Sequence, residues 1–381
     1  MLYEPLEDSF LLEKQVSKLA KGSVLDMGTG SGIQAVAAAK KRNVKKVLAV
    51  DVQKSVLKHC RETVKSKKIS FRQSNLFQKI SKQKFDTIIF NPPYLPADPK
   101  LKDITLAGGE KGYEIVEKFL AKANNYLNDD GIILLLISSL TNQQKVEEIL
   151  TEKLFEFEII SKKHIFFEDL IVYLVKKNSI VLKLAKKDVK DIEYFTHGHR
   201  GMLFTGTYLK NKITIKTKLP KSKAKERIAN EAKWIKKLNK KEIGPYLIFS
   251  EKDFLAYYFV EGEFFPKFAE KASKRKITSV IKDVLKQCYE LDEMGIDKEE
   301  MHRPFKHIIV KTNPVMIDFE RIHKTKKPKN VTQFIQYLIS SHITPLIKKK
   351  GIKINRRKAM NLAQKYKNKK ISFEKLIKKM F

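Results

Sequence analysis

Asn91-Pro92-Pro93-Tyr94 stands directly after the run Phe85-Asp86-Thr87-Ile88-Ile89-Phe90, which has the pattern of a buried strand. Paired prolines stop such a strand and fix the loop that follows it. The Asn91 amide offers one acceptor and two donors, and the Pro92 carbonyl is a second acceptor. Two acceptors side by side can hold both hydrogens of a planar NH2 group while the Tyr94 ring covers its face. That grip suits an amide or an exocyclic amine, whose nitrogen lone pair is delocalised. Drawing on both N–H bonds makes that nitrogen more nucleophilic toward an activated methyl group, and no general base of shifted pKa is required.

A second group of residues could hold the methyl donor. Ser23 to Asp26 is a short apolar run ending in a carboxylate, followed by Gly28, Thr29, Gly30 and Gly32 and then by the Ala-rich stretch Ile33 to Lys41. The order is strand, glycine turn, helix. A dinucleotide fingerprint would place its third glycine at position 33, where this chain has Ile. The spacing Asp26-x-Gly28-x-Gly30-x-Gly32 suits S-adenosylmethionine instead. The next strand, Lys46 to Val50, ends at Asp51, about 20 residues beyond the glycines, where a carboxylate can accept from both ribose hydroxyls.

The elements that must position these residues alternate. Strands are expected at Phe71 to Ser74, Phe85 to Phe90 and Gly131 to Ser138, and helices at Gly112 to Tyr126 and Gln143 to Lys153. Two adjacent strands, Phe155 to Ile165 and Leu170 to Lys176, close the segment. This pattern predicts a doubly wound, Rossmann-like α/β sheet over residues 1–178 with one antiparallel member.

Residues 1–178 resemble the class I S-adenosylmethionine methyltransferases, and within them the HemK-type protein N5-glutamine methyltransferases of the archaeal and eukaryotic release-factor branch. The resemblance rests on Tyr3-Glu4-Pro5-Leu6-Glu7-Asp8-Ser9-Phe10-Leu11-Leu12, Asp26-Met27-Gly28-Thr29-Gly30-Ser31-Gly32, Asn91-Pro92-Pro93-Tyr94 and Ala107-Gly108-Gly109-Glu110-Lys111-Gly112, in that order. It implies that Ser9 and the glycine turn hold the methionine part of the cofactor, that Asp51 holds the ribose, and that Asn75 and Leu76 flank the adenine. The family usually has Asp at position 75; Asn75 keeps the acceptor and loses the charge. The resemblance further implies that Asn91 orients a glutamine in a Gly-Gly-Gln tripeptide of a translation release factor, with a small zinc-binding activator subunit as partner. The same Asn-Pro-Pro-Tyr tetrapeptide also serves adenine-N6 and cytosine-N4 nucleic-acid methyltransferases, which stand as the alternative. Those enzymes must flip the base out, which takes extra surface.

The second half carries a different set. His197-Gly198-His199-Arg200-Gly201 through Gly206 leads to Lys212-Ile213-Thr214-Ile215-Lys216, a glycine-containing hairpin with a lysine on the following strand. Helical periodicity runs from Ala224 to Asn239 and places Glu231 beside Trp234, Ile235 and Leu238. A long helix from Thr278 to Met294 follows, and then Met316-Ile317-Asp318-Phe319-Glu320. In order, these pieces over residues 190–325 resemble the small archaeal serine/threonine protein kinases related to the RIO and Kae1-associated kinases. The resemblance implies an α+β domain in which Lys216 pairs with Glu231 and with ATP phosphates, and Asp318 binds Mg2+. Where that family's catalytic loop is expected, the chain has Lys298-Glu299-Glu300 through His307. Glu300 then stands for the catalytic carboxylate and His307 for the metal-binding amide. A nucleotide-binding pseudokinase scaffold is the alternative.

The chain has 381 residues and a formal net charge of +35. Residues 321–381 hold 19 basic side chains and one acidic, half the excess, and nearly all of that stretch is a basic helical tail over residues 326–381. Clustered Lys and Arg favour a partner with phosphates, through counterion release; RNA or the ribosome is the expected surface. Two cysteines, Cys60 and Cys288, leave no disulfide framework or Cys-rich zinc module. No apolar run approaches the ~20 residues of a membrane span, and the acidic start is unlike a signal peptide. A cytoplasmic location is expected.

Overall fold

The computed structural model describes residues 4–81, 83–94, 109–198, 201–218 and 227–381. Tyr3 and Ala107-Gly108 of the family motifs, His199-Arg200 of the turn, and the first residues of the helix expected from Ala224 lie outside them. The chain divides into two units, Met1–Lys187 and Asp188–Phe381.

The first unit begins with α1 (Glu7–Leu19), then β1 (Gly22–Met27), α2 (Ile33–Ala39), β2 (Val44–Asp51), α3 (Lys54–Thr63) and β3 (Ile69–Gln73). It continues through β4 (Phe85–Phe90), α4 (Glu114–Tyr126), β5 (Leu127–Ser138), α5 (Gln143–Glu152), β6 (Phe155–Ile165), β7 (Glu168–Lys177) and α6 (Ser179–Ala185). The sheet order is β3-β2-β1-β4-β5-β7-β6. Neighbouring strands from β3 to β5 pair in parallel, and β7 runs antiparallel to both β5 and β6. This is a Rossmann-like sheet with one reversed strand. Central strands read as continuous apolar runs because both faces are covered. Phe85, Ile88 and Phe90 point into one core layer with Phe119 and Leu120, and Ile89 points into the other with Leu12, Val16 and Ala38.

Helices α1 and α3 carry weak signals in the sequence. Leu6 precedes α1 without a side-chain cap bond. The helix is held by one stripe, Leu11, Leu12 and Val16, that packs on the sheet.

The second unit opens with a five-stranded antiparallel sheet: β8 (Lys190–His197), β9 (Gly201–Tyr208), β10 (Asn211–Lys218), β11 (Leu247–Ser250) and β12 (Phe254–Tyr258), in the order β11-β12-β10-β9-β8. Helix α7 (Arg227–Leu238) lies between β10 and β11 in sequence and packs on β10, β11 and β12. Then come β13 (Glu263–Phe264), α8 (Phe265–Lys271), α9 (Lys274–Glu293), β14 (Ile296–Lys298), β15 (Ile308–Val310), β16 (Pro314–Met316) and β17 (Ile322–Lys324). Four helices finish the chain: α10 (Asn330–Leu338), α11 (Thr344–Lys349), α12 (Arg356–Lys367) and α13 (Phe373–Met380). Helix α9 buries Ile277, Val280, Ile281, Val284, Leu285, Cys288 and Leu291 at helical spacing. Val331, Phe334, Leu362 and Leu376 of the last four helices enter the same core as α9. The basic residues of residues 326–381 therefore ride on packed helices. No described helix is long and apolar enough to cross a membrane.

Candidate active site

The parallel strands β1, β2 and β4 end side by side, and the loops that leave them wall a pocket of about 710 Å3. Asp26, at the end of β1, is buried and accepts a 2.6 Å hydrogen bond from the Thr29 hydroxyl. Burial pushes its carboxyl up to about 7, against the pull of the Thr29 bond. The turn that follows bends back on itself: Gly30 and Gly32 have φ of +52° and +84°, a region that costs any other residue strain. A side chain at Gly30 would project into open space, so the backbone there is bare to the pocket. Asp51, at the end of β2, accepts from the Gly30 amide at 3.1 Å and the Gln53 amide at 2.9 Å. Those two bonds aim its carboxylate and leave lone pairs for further donors.

Asn75, Leu76 and Phe77 close the far side of the pocket. Leu76 adopts a φ of +47°, and Phe77 stacks on Tyr126 at 4.4 Å. This turn supplies the apolar slot that a flat heterocycle needs. Ser9, on the first turn of α1, is buried, and its carbonyl accepts from Gln34 of α2 at 2.8 Å.

At the end of β4, the Asn91 amide nitrogen donates to Oδ2 of Asp8 at 2.8 Å. The Asp8 oxygen takes the NH2 end of the amide, which fixes the amide's orientation. Asn91 Oδ1 is then a buried acceptor without a partner among the described residues. A buried acceptor left unmade costs about 1–3 kcal/mol, so the atom is poised for a donor from a ligand. Pro92, Pro93 and Tyr94 line the pocket beside it. Burial pushes the Tyr94 phenol well above its ordinary value, with Asp8 and Glu168 adding to the rise, so it stays neutral.

A family model described as "Methyltransferase small domain" matches residues 7–167. A Methanocaldococcus jannaschii protein named as a candidate protein N5-glutamine methyltransferase is 38% identical over 178 residues, covering 45% of this chain and 89% of that protein. The chain belongs to the protein N5-glutamine methyltransferase family. A release factor glutamine methyltransferase of Lactococcus lactis is 30% identical over 181 residues, covering 44% of this chain and 65% of that protein. A solved E. cuniculi complex, described as methylating the eRF1 translation termination factor, is 24% identical over 46% of this chain and 98% of that one, with a TM-score of 0.39.

The methyltransferase pocket fits S-adenosylmethionine. The bare glycine backbone and the carboxylates of Asp26 and Asp51 suit a cationic, ribose-bearing cofactor, and Asn75 and Leu76 lie at the apolar end. Among these residues Asp8 escapes a reading of the sequence. Its only signal there is its place in the Tyr3 to Leu12 motif.

The second unit of the methyltransferase chain gathers another set. Lys216 on β10 is buried, with its ammonium 2.8 Å from Glu231 of α7, 3.1 Å from Asp318 and 2.9 Å from Glu320. Burial alone would lower the Lys216 pKa; three carboxylates around one cation hold it well above the usual lysine value. The other Glu231 oxygen accepts from the Phe319 amide at 3.2 Å. Lys298, buried just before Glu299-Glu300, donates to the Asp318 carbonyl and lies over the Phe319 ring. It stands 3.6 Å from Glu300, whose other oxygen lies 3.8 Å from Arg321. His307 is half-buried; its Nδ1 has no partner among the described residues, and burial lowers its pKa. Neither Lys298 nor Glu320 declares itself as a site residue in the sequence. The position of Lys298 two residues before Glu300 is the signal that could have found it.

Proposed function

We propose that the first unit methylates the side-chain amide nitrogen of a glutamine in a translation release factor, within a Gly-Gly-Gln tripeptide. The observation that carries this reading is the Asn91 amide, with its nitrogen tied to Asp8 and its oxygen left as an unpaired acceptor in the cofactor pocket. Asn91 Oδ1 and the Pro92 carbonyl accept the two hydrogens of the substrate NH2, and Tyr94 packs over its plane. When bound, the cofactor would supply a sulfonium methyl group with the thioether as leaving group, and the acceptor nitrogen would give up one of its two hydrogens as a proton. The protein's work is then positioning and exclusion of water, with Ser9, Thr29 and the glycine turn at the methionine end, Asp51 at the ribose and Asn75 and Leu76 at the adenine. By resemblance to this branch of the family, a small zinc-binding activator subunit completes the enzyme. Mass spectrometry of proteins from cells with and without this gene checks the reading. Loss of a methyl-glutamine from a release factor is expected; a methylated adenine lost from RNA, with proteins unchanged, would point to the nucleic-acid alternative.

For the second unit we infer a protein-kinase-like nucleotide site. The support is the Lys216–Glu231 ion pair on a strand and a packed helix, with Asp318 and the Phe319 amide bound to the same two side chains. ATP phosphates would meet Lys216, Mg2+ would be held by Asp318 with His307 alongside, and Glu300 stands where a catalytic carboxylate would. ATP binding measured with Mg2+, and lost in Lys216→Met, checks the site. Phosphate transfer abolished by Asp318→Ala separates a kinase from a nucleotide-binding scaffold. The basic face of residues 326–381 is read as an anchor on RNA.

A further inference from the structure

Phe166 and Phe167 form the turn between β6 and β7, and they are 91% and 95% exposed. Two adjacent phenyl rings in water are unfavourable, each forgoing about 25 cal/mol per Å2 of apolar surface that burial would recover. Phe166 also holds a φ of +39°, where a bulky residue is a genuine outlier. Strain of this sort collects at functional sites.

The turn stands at the pocket end of the sheet. Register pairs Ile165 with Glu168, Leu170 with Ser138 of β5, and Leu135 of β5 with Phe90 of β4, which leads into Asn91. Side chains tie it to the pocket wall on two sides. Glu168 accepts from the Ser138 hydroxyl, the Asp169 amide donates to Ser139 at 3.0 Å, and Thr141 donates to the Tyr94 carbonyl at 3.3 Å. Lys163, just before the turn, pairs at 3.3 Å with Glu7, the neighbour of Asp8. The segments so joined expose further large apolar side chains: Leu6 and Phe10 at the start of α1, and Leu140 after β5.

The cations beside the turn are already matched. Lys162 pairs with Asp169 at 2.9 Å, His164 meets the same carboxylate at 2.9 Å, and Lys163 has Glu7. Among the described residues of the turn, a nucleic acid would find every basic group already paired, whereas an apolar protein surface would find aromatic anchors.

We propose that Leu6, Phe10, Leu140, Phe166 and Phe167 form the docking rim for the folded protein that presents the methylated glutamine, with the two phenylalanines as its anchors. This rests on the reading of the pocket as a protein glutamine methyltransferase site. The rim seats the apolar surface around the acceptor loop, and its attachment to Ser138, Thr141 and Glu7 sets that surface in register with Asn91.

The test compares the full chain with F166S/F167S, titrating each with an archaeal class 1 release factor in the presence of S-adenosylhomocysteine, and with S-adenosylhomocysteine alone. The release-factor Kd weakens by at least about tenfold, as expected when two aromatic anchors are removed, and the cofactor-product Kd stays within about twofold. F166L/F167L, which keeps apolar surface, recovers most of the loss. An unchanged release-factor Kd in the serine variant overturns the docking rim while leaving the pocket reading intact. A wild-type chain that binds S-adenosylhomocysteine but labels RNA and no protein overturns the acceptor reading and the rim together.

Discussion

The Asn91 amide nitrogen donates to Asp8 Oδ2 at 2.8 Å across 83 residues of chain, joining the end of β4 to the first turn of α1. Without Asp8, the amide is free to rotate and present its NH2 where an acceptor is needed. Asp8→Ala should therefore lower kcat by about 10- to 100-fold, as misplacement of a catalytic group does, with a much smaller change in cofactor affinity. Asp8→Asn, which keeps an acceptor for the Asn91 nitrogen, should recover part of the rate. Steady-state kinetics with separate cofactor titration measures both.

Asp26 makes both stability and cofactor binding depend on pH. Its carboxyl sits at about 7 in the folded protein against 3.8 as a free side chain, because burial disfavours the charge. The folded state thus holds a proton that the unfolded state releases, and stability from this group is lost as pH rises from about 4 to 7. The full loss is roughly 4 kcal/mol at about 1.4 kcal/mol per unit. A cationic cofactor favours the charged form and reverses that cost. Its Kd should tighten as pH rises toward 7, with proton release on binding, and Asp26→Asn should flatten the profile. Calorimetry in buffers of different ionisation enthalpy reads the proton directly.

Lys216 bridges the side chains of Glu231, Asp318 and Glu320. Lys216→Met leaves a fully buried carboxylate uncompensated, a change that costs about 3–5 kcal/mol. Urea denaturation followed on the second unit's transition should show that loss. Burial alone would raise the Asp318 pKa, yet Lys216 and Lys298 draw it down to about 2. Its contribution to stability is present above pH 4 and is lost as pH falls toward 2.

Arg356, Arg357 and Lys358 are exposed on the first turn of α12. If the basic helices anchor the protein on RNA, replacing all three by Ala weakens RNA binding uniformly across sequences. The slope of log K against log salt should fall by about 2–3. Filter binding at several salt concentrations measures it.

Much of this was legible because the chemistry is local. The glycine turn, the carboxylate ending β2 and the tetrapeptide ending β4 each declare themselves within a few residues, and Phe85 to Phe90 coincides with β4. The apolar run of a strand covered on both faces is hard to mistake. Asp8 and Lys298 were not legible, because each acts through a partner far along the chain, Asn91 and Asp318. Helix α1 is hard to see in the sequence for a related reason: its stripe of Leu11, Leu12 and Val16 acquires meaning only against the sheet it covers. Glu320 carries no signal in its own residue type, and only the fold shows it pairing with Lys216.

The most direct test is transfer of labelled methyl from S-adenosylmethionine to a release factor by the full chain, with the proposed activator subunit added, and with the label located by fragmentation. A methyl group on a glutamine amide nitrogen is expected, and its loss in Asn91→Ala, with cofactor binding retained. Transfer that survives Asn91→Ala, or a label on any other atom, would contradict the proposed function.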